Sequence, residues 1–321
     1  MTERFALGVD LGGTKIYSIV ADSNGRLLAT DYRYTEAAEG PQPVIERVVA
    51  SLRDALAQSG RTASDLAGVG ISTPGPCDQS RGLVTDAPNL PGFHNVPLAR
   101  LVGEALGLPT VLENDANAAC YGEHRFGAGK GFRHILYVTL GTGIGGGMMV
   151  DGKIYWGASG AAGEVGHIII DQDGPPCNCG ARGCLEALAS GPAIARAAAA
   201  ELAAGRSPKL AELSHGEPLS AKLVHEAALA GDQAAREVIE AAGHQLGLGL
   251  TGLLNCFNPE CLILGGGLTA LGEMYLGPAL KTARSLAFEQ VVADVTISLA
   301  NLGDAAGALG AAALMMDMSP Q

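Results

Sequence analysis

The chain has no apolar run long enough to cross a bilayer: glycines, charged residues or polar residues interrupt every candidate short of the roughly 20 residues a spanning helix needs. It also lacks the start of an exported protein. MTERFALGVDLGG has neither the basic segment nor the apolar core of a signal peptide, and it moves straight into a strand pattern. A cytoplasmic location is expected. Basic charge is scarce as well, with 21 Lys and Arg against 33 Asp and Glu for a formal net charge of −12. Such a surface repels phosphate backbones at long range and no local basic patch offsets it, so neither nucleic acid nor a membrane is an expected partner. Charged residues make up only 17% and hydrophobic residues 47%, a balance that excludes disorder and indicates a globular chain. At 321 residues there is room for about two domains, each with its own core.

Of the seven cysteines, Cys77, Cys120, Cys256 and Cys261 lie scattered in mostly apolar surroundings and read as small buried hydrophobes. The other three crowd into Gly163 to Glu186, GEVGHIIIDQDGPPCNCGARGCLE, together with one histidine and two glutamates. Cys177-x-Cys179-x4-Cys184 with His167 upstream supplies three sulfurs and one ring nitrogen, a complete tetrahedral set for structural zinc. A complete set leaves no position for a reactive water, so the metal should fold a loop and take no part in the chemistry. Gly180 and Gly183 let the backbone turn tightly enough for the sulfurs to converge. The alternative is a disulfide in an ordinary loop, which a reducing cytosol disfavours.

Elsewhere the pattern is that of an α/β protein. FALGVD and IYSIVAD read as strands around the turn LGGTK, and Ser23-Asn24-Gly25 marks a further hairpin. The first turn places Asp10, Gly12, Gly13, Thr14 and Lys15 where amide N–H groups, a hydroxyl and an ammonium can face one anion. Two glycines in a row also occur in hairpins that bind nothing. Asp10 adds weight, because a carboxylate at an anion site suits a Mg²⁺ carried in with nucleotide phosphates. VIERVVASLRDALAQ, residues 44–58, has the apolar spacing of an amphipathic helix, and LAGVGIST is a short buried strand that runs into Pro74-Gly75-Pro76. TDAPNLPGF, Thr85 to Phe93, reads as a proline-held loop in which Asn89 offers an amide either to a polyol or to the turn itself.

After a helix around Leu98 to Leu106, a strand over Thr110 to Glu113 leads into Asn114 and Asp115. Asp115 then sits at a strand end and a helix N-terminus, as a cleft carboxylate or as an ordinary cap. HILYVTLGTGIGGGMMV, residues 134–150, satisfies G-x-G-x-x-G, but MMVDGKIYW follows where a dinucleotide fold requires a helix. What remains is a second glycine hairpin, with Gly141, Thr142 and Gly143, similar in chemistry to the first. Alanine-rich helical stretches over Pro192 to Ala204 and Ser220 to Phe257 read as scaffold. The strand Cys261 to Leu264 ends in Gly265, Gly266 and Gly267, where a flat ring can approach bare backbone. GDAAGALGAAALMM near the C-terminus is a small-residue helix suited to packing on the first domain.

DLGGTK, STPGP, NDANAA, GTGIGGG, GEVGH, CNCGARGCLE, LGGG and GALGAA together resemble the ROK family of sugar kinases and sugar-responsive repressors, in family order and over nearly the whole chain. The resemblance implies a two-domain actin-like ATPase fold, of the ribonuclease H-like kind, with an interdomain cleft. It implies a small α/β domain over residues 1–115, completed by a C-terminal helix over 303–321, and a large α/β domain over 116–302 that carries the zinc loop. It further implies that the two glycine hairpins bind ATP phosphates with Mg²⁺, and that Gly265–Gly267 borders adenine. Asn114, Asp115, Glu164, His167 and Glu186, with Asn89, are implied to hold a sugar.

Asp115 is the implied base, and His167 would serve both the zinc and a sugar hydroxyl. The expected activity is ATP-dependent phosphorylation of a hexose at its 6-hydroxyl, with glucose first and N-acetylglucosamine, mannose, allose and fructose as alternatives. The domains should close on a hinge around the sugar before ATP reacts, or water would take the phosphoryl group. Family repressors carry a DNA-binding helical domain, usually ahead of DLGGTK, whereas nine residues precede Asp10 here, so an enzyme is expected. Relatives are commonly homodimers or homotetramers.

Overall fold

A computed structural model describes residues 4–318. The chain opens as an antiparallel meander of β1 (Phe5–Leu11), β2 (Lys15–Asp22) and β3 (Leu27–Tyr34). Helix α1 (Pro41–Ser59) starts on a proline in its first turn and buries Val44, Ile45, Val48, Val49, Leu52 and Ala55, one stripe at helical spacing. Strand β4 (Leu66–Thr73) follows, and then a small sheet of β5 (Cys77–Asp78), β6 (Leu83–Asp86) and β7 (His94–Val96). The stretch expected as one loop from Thr85 to Phe93 therefore begins inside a strand, because Val84 and Asp86 pair with Val96 and His94. Helix α2 (Leu98–Leu106), strand β8 (Thr110–Asn114) and helix α3 (Asp115–Phe126) complete this half.

Strands β9 (Ile135–Leu140), β10 (Ile144–Val150) and β11 (Lys153–Ile154) come next, followed by a long irregular stretch and the short helix α4 (Leu185–Ala189). The helices α5 (Gly191–Ala203), α6 (Pro208–Ser214), α7 (Ala221–Leu229) and α8 (Gln233–Phe257) then run in succession. Ser190, Ser220 and Asp232 each accept a backbone N–H at the start of α5, α7 and α8, which is why the alanine-rich stretch breaks where it does. The chain ends with β12 (Cys261–Gly265), α9 (Glu273–Leu286), α10 (Glu289–Asp294), β13 (Thr296–Leu299) and α11 (Ala306–Met318). Residues 319–321 of the expected C-terminal helix lie outside the described residues. Among the described residues no helix is long and apolar enough to cross a membrane.

The chain divides into two compact units, one formed by the residues up to Tyr137, Gly147–Gly163 and those from Ala300 onward, the other by Val138–Gly146 and Glu164–Leu299. In the first, the strand order is β3-β2-β1-β4-β8, with β4 parallel to both β1 and β8. Period-2 alternation assigns the faces. Leu7, Val9 and Leu11 join α1 and α2 in one core, while Ala6, Ile19 and Ala21 join α11 in another.

The α11 face is made of small residues for a reason visible at Gly8 and Gly70. A Cβ on either would come within 2.1 Å of Ala308 O or 1.9 Å of Ala311 O, so the helix backbone lies directly on the strands. Helix α11 is correspondingly buried from Ala306 to Met316, and its alanines and glycines are what allow that approach. Asp10 continues the Ala6, Gly8 face, and a Cβ at Gly307 would lie 2.8 Å from its Oδ1.

In the second unit, α8 and α9 cross at glycines. A Cβ at Gly243 would come within 2.2 Å of Tyr275 O. Tyr275 is fully buried and donates its hydroxyl to Ala189 O at 2.7 Å, which ties α9 to the end of α4. A further sheet has the order β11-β10-β9-β12-β13. Cys77, Cys120 and Cys261 are buried as expected, but Cys256 is exposed on the last turns of α8.

Candidate active site

Parallel pairing brings three strand ends of the first unit into line. Asp10 is paired with Ser72 across β1 and β4, and Thr73 with Asn114 across β4 and β8. At the first end, Gly12 N–H donates to Lys15 O at 2.8 Å and the Thr35 hydroxyl donates to Gly12 O at 2.6 Å, closing the glycine turn. A Cβ at Gly13 would stand 2.7 Å from Asn89 O, so the Asn89 loop lies against this turn with its backbone while the residue itself stays exposed. Thr14 is exposed. Lys15, expected to face an anion, forms an ion pair with Asp304 at 3.0 Å. Asp304 is largely solvated, and an exposed pair of this kind is worth little, so the ammonium exchanges partners at low cost.

Asp10 accepts the Ser72 hydroxyl at 2.6 Å. Burial pushes its carboxyl above the ordinary carboxylate range, against the lowering effect of Ser72 and Lys15. A half-buried carboxylate without full compensation favours a cation beside it, which is the donor chemistry a Mg²⁺ site needs.

At the third strand end Asn114 is the N-cap of α3. Its Oδ1 accepts from Ala116 and Asn117 N–H at 3.0 and 3.2 Å, and its Nδ2 donates to Gly75 O at 3.2 Å. The amide is thus engaged in the cap and in the proline-glycine turn. Asp115 occupies the first turn of the helix, half-buried, with Oδ1 accepting from Ala116 N–H at 2.8 Å. A carboxylate there is favoured by the helix dipole.

The second unit gathers the remaining predicted residues. In the turn between β9 and β10, Gly141 N–H donates to Gly143 O and Gly191 N–H to Gly141 O, both at 2.9 Å. Glu186, in the first turn of α4, accepts the Ile144 N–H at 2.9 Å, and a Cβ at Gly143 would stand 2.6 Å from the same oxygen. The glycine turn and Glu186 are therefore one assembly. Gly265 ends β12, and Gly266 runs against the backbone of Leu140. A Cβ at Gly267 would meet open space, and both Gly267 and Thr142 are exposed.

His167, Cys177, Cys179 and Cys184 bring four donor atoms within 4.8 Å of one another. His167 Nδ1 is 3.6 Å from Cys177 Sγ, and Cys179 Sγ is 3.7 Å from Cys184 Sγ. Donors around a tetrahedral zinc, with bonds of about 2.3 Å to sulfur and 2.0 Å to nitrogen, stand about 3.8 Å apart for two sulfurs and about 3.5 Å for sulfur and nitrogen. The arrangement fits such an ion.

Burial and the neighbouring thiols push the Cys184 thiol up to about 12, so without a metal it stays protonated. Gly183 shapes the loop: its φ is 67°, and a Cβ would overlap Asp171 O at 1.4 Å. The other ring nitrogen of His167, Nε2, faces Glu164 Oε2 at 3.9 Å. Metal ligand and sugar candidate are thus opposite sides of one imidazole.

Sequence reasoning missed Glu113, Gln79, Trp156, Ser72 and Asp304. Glu113 is buried and accepts from Trp156 Nε1 at 2.8 Å and Gln79 Nε2 at 3.1 Å. The available signal was a carboxylate at an inward strand position, directly before Asn114. Together with Gln79 and Trp156 it lines a cavity of about 1120 Å³ in the first unit.

The profile of the ROK family matches residues 6–318. The glucokinase of Thermotoga maritima is 36% identical over 97% of this chain and 97% of its own. A ROK family glucokinase from Streptomyces griseus, solved in complex with glucose and AMPPNP, is 37% identical over 98% of this chain and 99% of its own, with a TM-score of 0.84. The xylose repressor of Bacillus subtilis is 31% identical over 98% of this chain, which spans 77% of that protein.

Proposed function

This chain belongs to the ROK family, and from that premise we propose that it is an ATP-dependent hexose kinase of actin-like fold that phosphorylates glucose at the 6-hydroxyl. The observation that carries the reading is the register of the first sheet. It sets the Asp10 glycine turn and the Asp115 carboxylate on strand ends two places apart, about 10 Å at ordinary strand spacing, the reach of a phosphoryl donor and its acceptor.

Asp115 accepts the proton of the attacking hydroxyl. In a loose phosphoryl-transfer transition state the nucleophile is only partly committed, so a carboxylate of ordinary basicity suffices when it is well placed. Asn114, Glu164, His167 and Glu186 hold the remaining hydroxyls, with Asn89 at the margin. The turns Gly12–Lys15 and Gly141–Gly143 direct N–H groups, with the Thr14 and Thr142 hydroxyls and the Lys15 ammonium, at the phosphates, and Gly265–Gly267 borders the base. Asp10 is the carboxylate that would hold a Mg²⁺, which when bound would neutralise charge on the transferred group. His167, Cys177, Cys179 and Cys184 would hold a structural zinc, which would fix the imidazole and leave Nε2 on the Glu164 side. A homo-oligomer, dimer or tetramer, completes the proposal and is checked by light scattering.

Higher identity to glucokinases than to the repressor, together with the acidic surface, favours the kinase over a sugar-sensing regulator. A coupled assay over glucose, N-acetylglucosamine, mannose, allose and fructose, with ATP or polyphosphate as donor, tests the substrate. Asp115→Asn is expected to lower turnover by about 100-fold or more while glucose binding changes little. Undiminished turnover removes Asp115 from the mechanism.

A further inference from the structure

Glu113 has no role in the chemistry proposed for Asp115, yet it is the most heavily engaged carboxylate beside that base. Only 3% of it is exposed. Its Oε1 accepts from Asn114 N–H at 2.9 Å, Asn117 Nδ2 at 3.1 Å and Gln79 Nε2 at 3.1 Å, and its Oε2 accepts from Trp156 Nε1 at 2.8 Å. These donors come from four places: the strand end itself, α3, the loop after β5 and the loop after β11. All four donors are neutral, so hydrogen bonds alone satisfy the carboxyl oxygens.

The loop after β11 carries its two aromatic rings at the surface. Trp156 is 40% exposed and Tyr155 48%, so neither ring is anchored by deep packing. Gly157, Gly160 and Gly163 all have positive φ, and the segment has no regular structure before Glu164. Backbone bonds from Tyr155 N–H to Met148 O at 2.8 Å and from Ala162 N–H to Trp156 O at 3.1 Å shape it, and side chains join it to β5 and β8 through the indole N–H on Glu113 and the approach of Gly160 to Gln79, whose Oε1 would be 3.0 Å from a Cβ there. Gln79 donates to the same Glu113. One carboxylate therefore sets both the peptide N–H directly before Asp115 and the seat of the loop that leads to Glu164.

We propose that Glu113 is a positioning residue for the kinase reaction, holding the Asn114–Asp115 strand end and the Trp156 loop in one fixed relation through the Trp156 N–H and the Gln79 amide. The inference rests on the kinase reading, since it assigns Glu113 to the service of Asp115. Trp156 is the single tryptophan of the sequence, so its emission reports this hydrogen bond without interference.

The test is a double-mutant cycle on kcat/KM for glucose, with thermal unfolding and tryptophan emission recorded alongside. Glu113→Gln places an amide donor among donors, and Trp156→Phe keeps an aromatic ring while removing the N–H. Each is expected to lower kcat/KM by about 10-fold or more, the loss of a hydrogen bond to a charged group. The double variant should be no worse than Glu113→Gln alone, and emission should shift to the red in Glu113→Gln. Losses that multiply, or a fall in melting temperature with unchanged kcat/KM, overturn the proposal. Should Glu113→Gln not fold, Gln79→Ala and Trp156→Phe carry the test, each expected to lower kcat/KM without lowering the melting temperature. A wild-type protein inactive on every hexose would refute the kinase reading instead, while the emission shift would still decide whether Glu113 holds Trp156.

Discussion

Gly143→Ala isolates one link between a glycine turn and a sugar candidate. The backbone at Gly143 does not have positive φ, so alanine fits it without strain. The added Cβ would stand 2.6 Å from Glu186 Oε2, closer than real Cβ atoms come, but that oxygen is the end of a flexible side chain. The carboxylate swings away and the turn stays. What disappears is the 2.9 Å hydrogen bond from Ile144 N–H to Glu186.

A hydrogen bond to a charged acceptor is worth about 1.5–3 kcal/mol, equivalent to about 10- to 100-fold in kcat/KM if the whole effect reaches the transition state. The assay is a coupled kinase measurement with glucose and ATP varied separately, next to thermal unfolding. Because Glu186 is assigned to the sugar, KM for glucose should rise more than KM for ATP, and stability should change little. Gly252→Ala on α8 is the control: its Cβ meets nothing within 4 Å, so kinetics should be unchanged and stability should rise by about 0.5–1 kcal/mol. Wild-type kinetics in Gly143→Ala would refute the coupling of turn and carboxylate.

Asp10→Asn should separate stability from activity. The folded carboxyl titrates above its unfolded value, so its charge opposes folding at neutral pH, and this cost vanishes as pH falls below the unfolded value. The variant should therefore melt higher than wild type near pH 7, converge with it in acid, and lose Mg²⁺-dependent turnover; equal melting curves at pH 7 would count against a strained Asp10. Removal of metal by a strong chelator should lower the melting temperature and raise KM for glucose together, with one zinc per chain measured beforehand and none in Cys184→Ala. A fall in stability with unchanged KM would leave the metal as a loop staple with no hold on His167.

The parts of the site that could be read from sequence are those whose residue types are dictated locally. The Cys177, Cys179, Cys184 spacing brings three sulfurs together within one short loop, and glycines at 12–13 and 141–143 stand where the chain turns tightly between two strands. An α/β arrangement followed from the same local order of strands, turns and helices, whereas the two-domain actin-like fold was implied by the resemblance to the ROK family. Partners separated by tens of residues were not legible. Lys15 reads as an open cation until Asp304 is seen beside it, and the shielding of Asp10 depends on Gly307, almost 300 residues later. The alanine-rich segment near the C-terminus reads as a helix, but its composition is explained only by Gly8 and Gly70 on the strands it covers.

Glu113 shows the limit most clearly. In sequence it is one more carboxylate before NDANAA, and its position on β8 gives only the fact that it faces inward. Its meaning lies in donors 34 and 43 residues away, which only the folded register of β5, β8 and the loop after β11 brings to one point. Local chemistry thus names the groups proposed for the substrates, while tertiary register selects the groups that hold them still. Substitutions of the second kind should change activity even though every group proposed to touch a substrate is still present.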